Sequence, residues 1–334
     1  MFDNYHNVLS DTTDVLKLTI NLKTTGRYAM IRFGLCCIFR EEPIRFRRTT
    51  ARHMEKFDRH AKLEYISSVC EHNAQSLLLS LQFCHDHDIK DFRVNSQILP
   101  LKTHPDVGYD IKELPNHSRI IDAFLKCGEF CRKNDLRTTF HPDQFILLSS
   151  PNEDVTRKSI AELRYQAEIA EWINADVINI HGGGAYGNKT EALKRLVSQI
   201  KKLPDPVRTR LTLENDDRVY TPEDLLPVCE QTGIPLVYDV HHHRCLTDVL
   251  SVEKATELAM RTWDREPLFH LASPLNGWEG VPVNKHHDYI DPNDVPDCWL
   301  SLDITIEVEA KAKELAVLKL KTYLEKLYKK MGRA

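Results

Sequence analysis

Short apolar runs alternate with longer stretches of helical spacing through most of this chain. Six runs end in a residue able to bind a metal: 138–141 in His141, 177–181 in His181, 211–214 in Glu214, 236–239 in Asp239, 268–270 in His270, and 304–309 in Glu307 and Glu309. Two earlier runs, 31–36 and 91–94, lack a histidine or carboxylate ending. Runs of this length, bounded by polar stretches, predict strands. Helices are predicted over 63–87, 118–133, 157–173, 189–202, 222–232, 252–263 and 310–331. Pro222 suits the first helical position, with Thr221 as the cap before it. Eight strand–helix alternations without a break in composition predict one TIM-like (β/α)8 barrel over residues 30–334. Residues 1–29 read as an N-terminal extension, in which 16–22 alternate like a strand.

In a closed parallel barrel every strand ends on the same face, so residues 25 to 40 apart in sequence can meet there. That brings together His141, His181, Glu214, Asp239, His270 and one glutamate of the last strand. Asp239-Val240-His241-His242-His243 is the densest group, and His242 is expected in the loop after Asp239. Their spacing lets a carboxylate and an imidazole serve neighbouring metals. Glu214 lies between the histidine sites and Asp239 in strand order, suited to bridging two ions. Asp216 and Asp217 are expected to cap the turn that follows. His286, His287 and Asp288 form a second group in the loop after strand seven. The sequence leaves open which of them binds, and whether Glu307 or Glu309 is the interior carboxylate. A mixed imidazole and carboxylate set selects first-row divalent ions such as Mn²⁺ or Zn²⁺ over Mg²⁺ or Ca²⁺.

Other motifs suggest a partner. In His141-Pro142-Asp143-Gln144-Phe145, the proline fixes the direction in which Gln144 and Phe145 project. An amide beside an aromatic ring on a rigid loop suits insertion into a base stack. His181 precedes three glycines, which allow close approach of a backbone to phosphate. The net charge of −4 gives no global attraction to nucleic acid. A DNA-binding reading therefore rests on local basic segments. The first βα loop supplies one, with Arg40, Arg45, Arg47, Arg48 and Arg52. Residues 273–299 make a loop long enough to be functional. Nine cysteines without a Cys-x-x-Cys pair indicate reduced thiols and an intracellular protein. No apolar run suggests a membrane span.

The motifs at 141–145, 179–183, 213–216, 239–243, 286–290 and 309–314 resemble, in the same order, those of the UV damage endonuclease family, relatives of endonuclease IV. The resemblance runs from about residue 30 to residue 320. It implies an enzyme that cuts damaged double-stranded DNA immediately 5′ to cyclobutane dimers and 6-4 photoproducts and also accepts abasic sites; the chain is expected to act as a monomer. It also implies three divalent ions, usually manganese. One is held by His141, His181 and Glu214. The second is held by Glu214, Asp239, His270 and Glu309, and the third by His242 and His286. His141, His181, Glu214 and Asp239 then form the catalytic centre, and Gln144 and Phe145 probe the DNA. Three positions depart from the family pattern: Leu35 and Phe145 replace tyrosines, and Leu268 replaces a lysine. Leu35 and Leu268 are expected to remove polar groups beside the cluster. The competing readings are a metal-dependent sugar isomerase or epimerase on the same barrel, and a lesion-binding relative without activity.

Overall fold

Alternation within each strand decides which side chains enter the barrel. A computed structural model describes residues 31–142 and 145–331. Its strands are β1 (Ile31–Cys36), β2 (Asp91–Val94), β3 (Arg137–Phe140), β4 (Val177–His181), β5 (Leu211–Glu214), β6 (Leu236–Asp239), β7 (Leu268–Leu271) and β8 (Ile304–Val308). They pair in parallel in chain order, and β8 closes against β1. In β5, Thr212 and Glu214 point inward, since Thr212 donates to Asn179 of β4 and Asn179 donates to Glu214. Leu211 and Leu213 therefore face the helices. The same period of two turns Asp91, Arg93, Thr139, Asn179, His181, Asp239, His270 and Glu307 into the lumen. What reads as an apolar run is thus an apolar outer face and a polar lining.

The helices are α1 (Ala51–Met54), α2 (Arg59–Asp86), α3 (His117–Asn134), α4 (Glu153–Ile173), α5 (Lys189–Lys202), α6 (Asp205–Arg208), α7 (Pro222–Thr232), α8 (Val240–Cys245), α9 (Val252–Met260) and α10 (Glu314–Lys330). α2 begins four residues before the predicted start, because Asp58 caps it by accepting from the Ala61 N–H at 2.9 Å. α7 has the predicted bounds, with Thr221 and Asp224 in a capping box. α9 stops at Met260, short of Trp263, whose indole donates to the Leu236 carbonyl at 2.8 Å. α10 starts at Glu314 rather than at 310. The N–H groups of Lys311 and Ala312 donate instead to the carbonyls of His287 and Asp288. The long loop after β7 is ordered by a bridge between Pro274 and His286 and by two 3₁₀ turns, Pro292–Asp294 and Asp297–Ser301.

The lower lumen is closed by Val177, Val237 and Leu268 packed with Trp263. Ion pairs surround that end: Asp176 lies 2.9 Å from Arg137 and 3.0 Å from Arg265, and Arg32 lies 2.9 Å from Asp135. The upper end carries the acidic and imidazole groups. All nine cysteines are free thiols. No described helix is long and apolar enough to cross a membrane. The strand predicted over 16–22 lies outside the described residues.

Candidate metal centre

Glu214 ends β5 and is fully buried. Its Oε2 lies 3.0 Å from His141 Nε2 and 3.2 Å from His270 Nδ1. Its Oε1 lies 3.2 Å from His242 Nδ1 without hydrogen-bond geometry. Burial alone would raise this carboxyl, but His270, His181 and His141 hold it well below the usual carboxylate range. His181 is pushed down by burial and stays neutral, the form that offers a lone pair. Burial opposes a proton on His270, yet Glu214 and Glu307 drive it up to about 10 against the push of Arg93. His242 is likewise raised above the ordinary histidine value, against burial, by Asp239 and Glu214.

Asp239 caps α8 by accepting from the His242 N–H at 2.8 Å, so His242 lies on a short helix and not in a loop. Asn215 pins this corner: its side chain accepts from the Asp239 N–H at 3.0 Å and donates to the Asp239 carbonyl at 2.8 Å. Glu309 lies one residue beyond β8, 3.5 Å from His270 Nδ1 and 3.7 Å from His286 Nδ1. His287 and Asp288 are exposed, so of that trio His286 faces the mouth. Glu307 sits lower in the lumen, bonded to Thr139 and Arg93.

Arg93 is the functional candidate that motif reading missed. Its guanidinium is buried, bonds Glu307, lies 2.6 Å from Glu309 and reaches within 2.9 Å of His270 Nε2. It occurs at an inward position of a strand with no ligand at its end. The alternation Asp91-Phe92-Arg93-Val94 was the available signal. Beside it, burial pushes the Asp91 carboxyl well up, with Glu307 adding to the effect. Gly34 makes room here, since a Cβ would come within 2.4 Å of Asp91 Oδ2.

Among the described residues, three groups bring donor atoms close enough to hold an ion: His141 with His181 and Glu214, Glu214 with Asp239 and His242, and His141 with His270 and Glu309. Glu214 Oε1, Asp239 Oδ2, His141 Nδ1 and His181 Nδ1 are buried without a hydrogen-bond partner. Buried polar atoms are seldom left so. Four carboxylates, Glu214, Asp239, Glu307 and Glu309, gather here, and the Arg93 guanidinium pairs with Glu307 and Glu309, leaving Glu214 and Asp239 to the imidazoles. The donor set fits divalent cations on both counts. His242 groups with Glu214 and Asp239, while its ring centre is 6.4 Å from that of His286.

Several motif readings change. The glycines after His181 are packed closely by protein: a Cβ on Gly182 would meet the Tyr220 ring at 2.7 Å, and Gly183, with φ of +86°, abuts Ser149. Leu35 is on the opposite face of β1 from Gly34, toward the helices, so it does not border the cluster. Leu268 lies one inward position below His270, in the apolar closure. Asp216 caps its turn by accepting from the N–H groups of Arg218 and Tyr220 at 2.8 and 3.1 Å, whereas Asp217 accepts from Asn284 at 2.6 Å. Phe145 is 69% exposed on the rim, which excludes a core role. Gln144 lies outside the described residues. Arg40, Arg45, Arg47 and Arg48 are exposed on the loop after β1.

A closed parallel barrel whose C-terminal mouth gathers buried imidazoles and carboxylates defines a (β/α)8 barrel fitted to divalent metal. The chain belongs to the UV-endonuclease UvdE family, whose model matches residues 31–333. It is 36% identical over 308 residues to the UV DNA damage endonuclease of Bacillus velezensis, covering 87% of this chain and 93% of that protein. It is similar to the solved structure of SacUVDE, with 28% identity and a TM-score of 0.78 over 90% of this chain and 100% of that one. Endonuclease IV from Thermus thermophilus shares the fold, with 13% identity and a TM-score of 0.58 over 90% of this chain and 99% of that one.

Proposed function

We propose that this chain is a divalent-metal-dependent DNA repair endonuclease. It hydrolyses the phosphodiester immediately 5′ to cyclobutane dimers and 6-4 photoproducts, accepts abasic sites, and acts on damaged duplex as a monomer. The observation that carries this reading is the convergence of buried Glu214 with His141, His242 and His270 at one mouth, in a chain of this family. Ions would be held by His141, His181 and Glu214, by Glu214, Asp239 and His242, and by His270 and Glu309 with His286 beside them. Bound divalent ions, with manganese favoured, supply charge for the phosphodiester transition state and lower the pKa of water.

The chain's own groups prepare that chemistry. Arg93 holds Glu309 and Glu307 in place, and Asn215 fixes Asp239. Phe145 and Gln144 would fill the gap left by an extruded lesion. Photoproducts pair and stack poorly, so extruding them costs less than the few kcal/mol needed for intact bases. Arg40, Arg45, Arg47 and Arg48 would meet backbone phosphates. A sugar epimerase has no use for an exposed wedge or this arginine loop, and lesion binding alone would not require the donor set.

The test is a duplex carrying one defined photoproduct, incubated with Mn²⁺ and with chelator. A single cut immediately 5′ of the lesion, leaving a 3′-hydroxyl, is expected, with none under chelation and none in intact duplex. Absence of incision with every first-row divalent metal, or cutting indifferent to the lesion, overturns the proposal.

A further inference from the structure

The segment joining β1 to α1 has no regular structure, yet buried side chains fix its backbone at two places. Glu314, the first residue of α10, is 1% exposed. Its Oε2 accepts from the Arg40 N–H at 2.7 Å, and its Oε1 accepts from Glu41 at 2.6 Å and Glu42 at 3.2 Å. Asn73 of α2 is fully buried; it accepts from the Arg47 N–H at 2.7 Å and donates to the Arg47 carbonyl at 3.0 Å. Ser76 donates to the Arg45 carbonyl at 2.8 Å, and His72 Nε2 lies 3.0 Å from the same oxygen.

Burying a carboxylate is costly unless hydrogen bonds satisfy it, and here the satisfying donors are successive backbone amides of one loop. The arginine side chains between and beside the two clamps remain exposed. Glu314 also follows Glu309 by five residues, so one short segment reaches both the mouth and the loop. The loop is thereby referenced to the candidate metal centre.

We infer that Glu314 and Asn73 are positioning residues that hold the 40–48 backbone rigid before DNA arrives, so that its arginines meet phosphates without first being ordered. This rests on the reading of those arginines as DNA contacts. Pre-organisation removes an ordering cost from binding and leaves the chemical step alone.

The experiment measures steady-state incision of a defined photoproduct duplex, together with amide hydrogen exchange of the free protein. Glu314→Gln is isosteric and loses the charge that draws the three amides. The expected result is a KM raised about fivefold, kcat within about twofold of wild type, and faster exchange confined to amides 40–42. A protein with Arg40, Arg45, Arg47 and Arg48 all changed to Ala should itself show a raised KM, to which Glu314→Gln adds almost nothing. An arginine-free protein with wild-type KM removes the DNA reading of the loop and the inference with it. If that protein has a raised KM, the positioning role alone is overturned by any of three results: Glu314→Gln loosens the amides at unchanged KM, lowers kcat instead, or raises KM equally without the arginines. If Glu314→Gln does not fold, Ser76→Ala releases the second clamp more gently. A measurable rise in its KM at constant kcat supports the inference, and an unchanged KM overturns it.

Discussion

Arg93 is one side chain on which the charge balance of the mouth turns. It is buried against Glu307 and Glu309, and removing it leaves carboxylates without their cation. Arg93→Met keeps much of the volume and deletes the charge. In chelator it should cost about 3–5 kcal/mol of unfolding free energy, the usual penalty for breaking a buried pair. With saturating Mn²⁺ the loss should shrink, because bound cations offset the same carboxylates and stabilise the folded state. Urea unfolding with and without metal checks this, and equal losses in both would contradict it. Phe145 is the opposite kind of residue, exposed and without structural work to do. Phe145→Ala should leave stability and metal content unchanged while lowering the preference for damaged over intact duplex about tenfold, the scale of one lost base–aromatic stack. Competition between the two duplexes reads it. The endings His141, His181, Glu214 and Asp239 were legible because each closes a recognisable strand. Arg93 was not, because its strand continues past it with Val94, and a buried arginine has no signature except its parity.

At the level of elements, strand positions were the most legible feature, since β4, β5 and β6 begin and end where the apolar runs do. Helix edges were less so. Capping by Asp58 is a local side-chain bond and the diversion of the Lys311 and Ala312 amides to the 287–288 loop is a tertiary one, and apolar periodicity carries neither. The connection from β6 to α8 illustrates the point: a run of histidines looks like a polar loop, but the Asp239 cap turns it into a helix and aims His242 at Glu214. Asn215 supplies what the ladder lacks there. β5 and β6 register only through Leu213–Leu236 and Glu214–Val237, and the Asn215 amide extends the pairing to Asp239. Asn215→Ala would strand a buried N–H and carbonyl, a loss of about 2–3 kcal/mol. It would also free Asp239, and metal affinity should fall about tenfold or more, as when an outer support of a ligand is removed. Metal titration alongside thermal unfolding tests both effects. Weakened stability with intact affinity would show that Asn215 supports the fold alone.

Across the whole molecule the two ends of the barrel divide the work, which makes stability separable from chemistry. The mouth holds the imidazoles and carboxylates, whereas the far end is tied by Arg137, Asp176 and Arg265 around the Trp263 indole. Burial by itself would raise the Asp176 carboxyl, but Arg137 and then Arg265 reverse that and hold it below the usual carboxylate range. A carboxyl whose pKa is lower in the folded chain than in the unfolded one contributes stability above the unfolded value, near 3.9. That contribution fades as pH falls through the depressed folded value. The Asp176 side chain is 36% exposed, so solvent screens the pairs and the expected contribution is modest, about 1–2 kcal/mol. Asp176→Asn should therefore unfold more easily than wild type at neutral pH by that amount. The difference should begin to close as pH drops below about 4 and vanish beneath the depressed folded value, where wild type also loses the charge. Incision by the folded variant at neutral pH should match wild type, because the Asp176 carboxylate bonds Arg137 and Arg265 and not the candidate metal-binding residues. Denaturant unfolding across pH, read beside incision rates, separates the possibilities. A gap that persists undiminished into acid would assign the loss to packing instead of charge, and a fall in incision per folded molecule would show that the two ends are coupled through the lumen.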